Sequence, residues 1–304
     1  MPPLGASVGV EPARESHSQQ AARSGRAPYW CVAPAEPPVV DTAAGSFAAR
    51  CDAGYGFAMT NNALGPAWPE RPALFFDLDG TLLEFAETPD GVELTARFKQ
   101  LLSRLGRIQH GALAFVSGRT IATLDEILAP HRFALAGVHG GQRRKPDGEL
   151  ALSANDPAAL DPVRSVLRGF EAANPGILVE DKEISLAVHY RRSPALRDAV
   201  AQLGTDLAKL LPPAWELLEG NHVLEIKPAG LDKGAAIRSF MAEPPFAGRT
   251  PVFVGDDVTD EDGFRVVNEL GGVSVKVNSG PTQAQWHLAD VDAVLTWLEA
   301  NIPS

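Results

Sequence analysis

The sequence predicts an α/β fold: a parallel-sheet core with an α+β unit inserted into it. Three observations carry this expectation. Four short apolar runs, ALFFDLDG, ALAFVSG, FALAGVHG and TPVFVGDD, each end in glycine and polar residues. Continuous rather than alternating apolarity is the pattern of a strand covered on both faces. Segments with helical apolar spacing follow the first two runs, the order of strands and crossovers in a parallel sheet. Over residues 145–229 the strands instead alternate, as in an antiparallel sheet with one free face.

Residues 1–69 are rich in Ala, Pro, Gly and Ser and carry neither a helical nor a strand period. They are expected to form a disordered or weakly ordered extension. Met59 is an alternative start, because MTNNALGPAWPERPALFF is an ordinary leader into a first strand. The core is placed at 70–144 and 230–304. Its first half holds the strand ALFF, the helix VELTARFKQLLSRLG with Gly106 as C-cap, the strand ALAFV, the helix TIATLDEIL and the strand FALAG. The inserted cap, 145–229, opens on the amphipathic helix PAALDPVRSVLRGFEAAN and continues with strands in ILVEDK and SLAVHYR. It closes with the helix PALRDAVAQLGTDLAKLL and a hairpin of WELLEG and HVLEIKP about Gly220–Asn221. The core resumes as the helix LDKGAAIRSFMA, the strands TPVFVGDD and GGVSVKV, and the helix VDAVLTWLEAN.

Composition removes several function classes. The net charge is −11 and no Lys/Arg-rich stripe is present, which argues against a nucleic-acid partner. No stretch approaches the roughly 18–20 apolar residues of a membrane helix. Both cysteines, Cys31 and Cys51, precede residue 70, so the main body has no disulfide framework, thiolate zinc site or cysteine nucleophile. No secretory signal is visible, so a cytoplasmic location is expected. No obligate protein partner is evident.

Four sites carry chemistry. Asp77 and Asp79 in DLDGT follow a strand, where i and i+2 share a face. Two carboxylates so close need a cation or a shared proton. GDDVTDE places Asp256, Asp257, Asp260 and Glu261 at another strand end, an oxygen-rich setting suited to Mg²⁺ rather than zinc. Asp256 directly follows the apolar run and is the metal-ligand candidate. Asp260 and Glu261 are equally accounted for by a solvated acidic turn or helix start, and a direct role for Asp257 or Asp260 stays open. Ser117-Gly118-Arg119 precedes a helix, where a hydroxyl and free N–H groups suit a phosphate, although Ser117 as an ordinary N-cap explains the pattern too. Lys233 opens a helix against the dipole, which suits a phosphate ligand better than a structural residue.

These four elements, in this order, resemble the motifs of the haloacid dehalogenase-like phosphatases. VHGGQRR (138–144), VEDKEISLAVHYR (179–191), EIKPAGLDKGAAI (225–237) and GDDVTDEDGF (255–264) narrow the resemblance to the trehalose-6-phosphate phosphatases of bacteria. The resemblance runs from about Pro72 to about Glu299. It implies a haloacid dehalogenase-like, Rossmann-type core under a mobile cap. It also implies a small-molecule sugar phosphate as substrate and an aspartyl-phosphate intermediate. Asp77 would be the nucleophile and Asp79 the general acid and then base. Mg²⁺ would be held by Asp77, the carbonyl of Asp79 and Asp256. Ser117, Gly118, Lys233 and the backbone around Gly80–Thr81 would bind the phosphate, with Arg119 bordering the substrate or making a structural ion pair. Glu180 and Lys182 stand where the family has its disaccharide-binding Glu-x-Lys pair.

His139 reads equally as a core-edge histidine or a sugar contact. Among His189, Tyr190 and Arg191 some must face the cap's own core. The nearest alternative substrates are sucrose 6-phosphate and glucosylglycerol phosphate, because the cap rather than the motifs selects the sugar. An inactive sensor is disfavoured by the presence of Asp77, Asp79, Lys233 and Asp256 together.

Overall fold

In a computed structural model of the protein the described residues are 65–85, 91–92, 94–107 and 111–302. The N-terminal extension, with both cysteines, lies outside them except for 65–69. Five parallel pairings build the large sheet from β1 (Pro72–Phe76), β2 (Leu113–Val116), β3 (Ala134–Gly137), β10 (Thr250–Gly255), β11 (Val273–Val277) and β12 (Trp286–Leu288). The hairpin β4 (Gln142–Arg144) and β5 (Leu150–Leu152) is added antiparallel, giving the order β12-β11-β10-β1-β2-β3-β4-β5. The sheet therefore runs past residue 144, where the sequence placed its boundary. Each of these two strands is three residues long, too short to show a period.

Both faces of the sheet are covered, as the apolar runs require. Leu74 and Phe76 of β1 pack with α1 (Ala96–Leu105), α2 (Ile121–Leu128) and α7 (Val291–Asn301), through residues such as Phe98, Leu124 and Leu298. Ala73 and Phe75 face α5 (Lys233–Met241) and α6 (Glu261–Glu269), meeting Phe240, Phe246 and Phe264. Gly106 occupies the C-cap of α1 with right-handed backbone, φ −64°, so any residue could stand there and no left-handed cap is formed. Residues 65–68 lie on α7: Trp297 Nε1 donates to the Pro66 carbonyl at 2.7 Å, and Trp68 N to Asn301 Oδ1 at 3.4 Å.

A second sheet, antiparallel throughout, has the order β6 (Leu178–Asp181), β7 (Leu186–His189), β9 (Val223–Pro228), β8 (Trp215–Gly220). Its two helices, α3 (Asp161–Ala173) and α4 (Arg197–Leu207), cover one face. Alternation decides which side chains go there: Leu186, Val188 and Tyr190 pack with Leu167, Val200 and Leu203, as do Leu224 and Ile226. Glu180, His189 and Glu225 point the other way, toward the carboxyl ends of the parallel strands. Among the described residues no helix is long and apolar enough to cross a membrane.

Candidate active site

The core half of the site is assembled from the loops that leave β1, β2 and β10 and from the start of α5. Asp77 directly follows β1, and its N–H continues the ladder to the Val254 carbonyl at 3.0 Å. This pairing fixes the position of a side chain that is only 4% exposed. Lys233, equally buried, donates to Asp77 Oδ1 and to Asp260 Oδ1, each at 2.7 Å. Burial, together with the charges of Asp260 and Asp256, raises Asp77 well above its ordinary range against the pull of Lys233. Burial works against the Lys233 ammonium, but the two carboxylates outweigh it and hold that group above its usual value.

Asp260 is completely buried and not the solvated turn residue that the sequence allowed. Its Oδ2 accepts the N–H groups of Asp256 and Asp257, both at 2.9 Å. Asp257 and Asp260 form a reciprocal capping box that starts the helical turn before α6. Both Asp260 oxygens are thus committed: one to Lys233, the other to the backbone that carries Asp256. Carboxylate atoms of Asp77, Asp256 and Asp260 lie within 4.8 Å of one another. Burial first, then Asp260, pushes Asp256 up to about 7.

Thr81 is buried and sits between these groups, its Oγ1 donating toward Asp77 Oδ2 at 3.3 Å or Asp256 Oδ1 at 3.2 Å. The preceding Gly80 has φ +81°, and a Cβ on it would collide with the Asp256 carboxylate. That position therefore needs glycine on two counts. On the far side of Asp256, Lys276 of β11 donates to its main-chain carbonyl at 2.5 Å.

Asp79 does not join the acidic cluster. Its carboxylate is gripped by Arg119, Nε to Oδ2 at 2.6 Å and Nη2 to Oδ1 at 2.8 Å. Burial opposes the guanidinium charge, yet the bond to Asp79 keeps Arg119 above its normal value. Arg119 is both an ion-pair partner and a wall of the cavity. Ser117 is not the N-cap of α2. Thr120 takes that place, accepting the Thr123 N–H at 3.2 Å. Ser117 Oγ instead accepts the Arg119 N–H at 3.1 Å inside the same loop.

A cavity joins this loop to the second sheet. From the core it is lined by Asp77, Asp79, Ser117, Gly118 and Lys233, and from the other side by Glu180, Lys182, His189 and Glu225. Lys182 is buried and donates to the Gly118 carbonyl at 2.9 Å and to Glu225 Oε1 at 3.3 Å, with Glu180 at 4.0 Å. Glu180 Oε2 lies 2.8 Å from His189 Nε2. Burial disfavours its charge, but His189 and Lys182 outweigh that and lower it. Arg191 stacks over the Phe85 ring, 4.5 Å from its centroid. Tyr190 alone of its trio points into the cap core.

Sequence reasoning brought Asp77, Lys233, Ser117, Gly118, Arg119, Glu180 and Lys182 to one cavity, and the structure places all of them on its wall. Thr81 and Asp256 stand behind Asp77 instead of on that wall. Glu225 was not singled out, and for Asp260 a direct role was left open beside the solvated turn. The D-x-x-D spacing of Asp257 and Asp260 was a capping-box signal, and Glu225 between Leu224 and Ile226 was a polar residue on the outward face of an alternating strand.

The sequence model of the trehalose-phosphatase family matches residues 75–292. The chain belongs to the trehalose-phosphatase family. It is a phosphatase, a phosphoric monoester hydrolase. It is similar to the trehalose-6-phosphate phosphatase of Escherichia coli (strain K12), with 45% identity over 234 residues, 77% of this chain and 88% of that protein. A probable trehalose-phosphate phosphatase of Sinorhizobium fredii is 42% identical over 205 residues, 67% of this chain and 77% of that one. The solved C-terminal domain of a C. albicans trehalose-6-phosphate phosphatase shares the fold at a TM-score of 0.68 and 24% identity, over 76% of this chain and 92% of that domain. A haloacid dehalogenase-like hydrolase from Bacteroides thetaiotaomicron shares it at 0.54 and 16% identity, over 75% and 98%. The fold is haloacid dehalogenase-like.

Proposed function

We propose that this phosphatase hydrolyses trehalose 6-phosphate to trehalose and phosphate, with the second sheet and its helices acting as the cap that selects the sugar. The observation that carries this is the two-sided cavity. A buried carboxylate, Asp77, faces a cap wall of alternating carboxylate and ammonium groups suited to sugar hydroxyls. The names of the E. coli and S. fredii relatives support the same substrate.

Asp77 attacks phosphorus, the bond to the sugar oxygen breaks, and Asp79, in its protonated form and turned from Arg119, gives that oxygen its proton. Water then attacks the aspartyl-phosphate, Asp79 takes the proton, phosphate leaves and Asp77 is restored. Lys233 and Ser117 hold the phosphoryl oxygens, and Arg119 holds Asp79 while its carboxylate is ionised. Asp260 keeps Lys233 charged and the Asp256 backbone in place.

The donor set fits Mg²⁺, for the converging atoms are all carboxylate oxygens and their shared burial leaves a charge excess that a divalent cation relieves. Asp77, Asp256 and the Asp79 carbonyl would hold it, and bound there it supplies charge neutralisation for the transferring phosphoryl group. Phosphate release from trehalose 6-phosphate, sucrose 6-phosphate and glucosylglycerol phosphate, with and without EDTA, tests the reading. Preference for trehalose 6-phosphate that vanishes on chelation is expected, and preference for another sugar would overturn it.

A further inference from the structure

His139 is a core residue with no part in the chemistry above, and its surroundings are unusual in three respects. It lies in a turn of left-handed residues immediately after β3: Val138 at φ +48°, His139 at φ +53° and Gly140 at φ +100°. A β-branched residue in that region is a rare and costly conformation, kept only where the surroundings over-determine it. Main-chain bonds do so here, from Val138 N to the Arg119 carbonyl at 2.9 Å and from His139 N to the Ser117 carbonyl at 3.0 Å. The strained turn is therefore fastened to the phosphate loop.

His139 is 5% exposed, and its ring stands against Gly118. A Cβ on that glycine would come within 2.8 Å of His139 Nε2, so only glycine leaves room for the ring. The same Nε2 is 2.9 Å from Glu225 Oε2, a residue of the cap sheet. Glu225 is itself buried, and its other oxygen accepts from Ser185 Oγ at 2.6 Å and from Lys182 at 3.3 Å. Burial alone would neutralise Glu225, but Lys182 and His139 hold it well below the ordinary carboxylate range. An ionised carboxylate only accepts, so Nε2 carries the hydrogen and donates. Lys182 closes the circuit by donating to the Gly118 carbonyl. Cap and core are thus joined at one buried point by two bonds, Glu225 with His139 and Lys182 with Gly118, which the contact between Lys182 and Glu225 couples.

We propose that His139 is a positioning residue for the phosphatase reaction: its Nε2–H bond to Glu225 holds the cap sheet shut against the Ser117–Gly118–Arg119 loop and sets the Glu225 carboxylate over the cavity. This rests on the substrate reading above only for its kinetic arm. The strained turn is the device that aims the ring out of the core, across the cleft, and the missing side chain at Gly118 is the slot that admits it. Without the imidazole, Glu225 keeps Lys182 and Ser185 but loses its only direct side-chain link to the core among the described residues, and the closed arrangement loses population.

The test compares the full-length wild type with His139→Ala, His139→Gln and the pair His139→Ala and Glu225→Ala, alone and combined. Gln places an amide donor near the position of Nε2. His139→Ala is expected to lower kcat/KM for trehalose 6-phosphate by ~10-fold or more, about 1.4 kcal/mol, and His139→Gln to recover most of it. In the Glu225→Ala background the same change should cost less than ~2-fold, because the two residues act through one bond. Small-angle scattering of the metal-free, unliganded proteins should show a larger radius of gyration for His139→Ala than for wild type or His139→Gln. A full ~10-fold loss in both backgrounds, or an unchanged radius of gyration, would overturn the proposal. If wild type does not hydrolyse trehalose 6-phosphate, the substrate reading fails while the scattering comparison still decides the role of His139.

Discussion

On the core side of the cavity Asp77, Asp79 and Arg119 sit in loops that leave parallel strands and Lys233 opens α5, and all of them find partners inside the core. Lys233 stands between Asp77 and Asp260, and Arg119 encloses the Asp79 carboxylate. On the cap side the charged groups stand on antiparallel strands or, for Lys182, just past the end of β6, and the two most buried of those lining the cavity draw on the core. Glu225 takes the His139 imidazole, and Lys182 takes the Gly118 carbonyl. The core half is consequently complete by itself, whereas the cap half is complete only when the two are together. On the proposed function, reactivity would reside in the half that needs no partner and selectivity in the half that does.

The sharpest way to break this comparison is to remove a core group, which closure cannot replace. Asp77→Asn should abolish turnover on every phosphate ester, a loss of the order of 10⁴-fold or more. Asp79→Asn should still bind substrate but lose ~10²-fold to 10⁴-fold at each proton transfer. Steady-state rates with trehalose 6-phosphate and p-nitrophenyl phosphate check both, and near-normal hydrolysis by Asp77→Asn would reject the covalent route.

Metal removal probes the same half without mutation. Asp77 and Asp256 are raised from 3.8 in the folded chain, Asp256 to about 7, so between roughly pH 4 and 7 the folded state binds more protons than the unfolded one. Stability contributed by these groups is full at the acid end and is lost as pH rises through that window. The melting temperature of chelated protein should fall from pH 4.5 to 7, and added Mg²⁺ should raise it more at pH 7.5 than at pH 5. A chelated protein that grows more stable over this window would contradict the reading, as would full activity after exhaustive chelation.

Smaller effects separate the two cap residues that the sequence singled out. Glu180 stands 2.8 Å from His189 and 4.0 Å from Lys182, both on the cap side, and its charge also reaches Arg119. Glu180→Ala should lower kcat/KM for trehalose 6-phosphate by ~10-fold and reduce p-nitrophenyl phosphate hydrolysis far less, since a site built for hydroxyls is penalised only by a substrate that has them. Lys182 also anchors Gly118, so Lys182→Ala should reduce both substrates. Equal, selective losses from the two variants would show that the Gly118 contact is dispensable.

The contrast between the two halves also explains how much was legible beforehand. Asp77, Ser117, Asp256 and Lys233 follow apolar runs or open helices, so each was visible in a window of a few residues. Arg119 closing on Asp79 was not, because a bidentate pair between neighbouring strand ends depends on crossover geometry that no local pattern encodes. The alternation of β7 and β9 was readable, but not which polar face would be covered. Glu225 acquired a meaning only once it met His139, in the turn after β3. The β4–β5 hairpin escaped because its strands are too short to show a period, and Thr120 displaced Ser117 as the cap of α2 because both hydroxyls suit an N-terminus.

The smallest effect is expected at the N-terminus. Deleting residues 1–58 should leave activity and melting temperature unchanged, for that stretch offers no periodic apolar face to bury. Deleting 1–70 removes the Pro66 carbonyl and leaves the buried Trp297 Nε1 without its acceptor, which should cost about 1–3 kcal/mol. Urea denaturation of the two truncations measures the difference, and equal midpoints would mean that 65–70 contributes nothing.

The register Pro72↔Thr250 has a consequence for how the chain is made. β1 lies at the centre of the sheet, yet one of its two neighbours is encoded beyond the entire cap. At ~5–20 residues per second on the ribosome, β10 emerges roughly ten to thirty-five seconds after β1. Throughout that interval one edge of β1, with Phe75 and Phe76 beside it, is an open template for strand addition. Asp77 meanwhile waits without Lys233. The cap can bury its own apolar residues, Leu186 and Val188 against Leu167 and Val200, before the core has closed. Translation therefore delivers a folded cap, still lacking its core partners, ahead of a finished core, and the nascent sheet stays open for as long as the cap is being made.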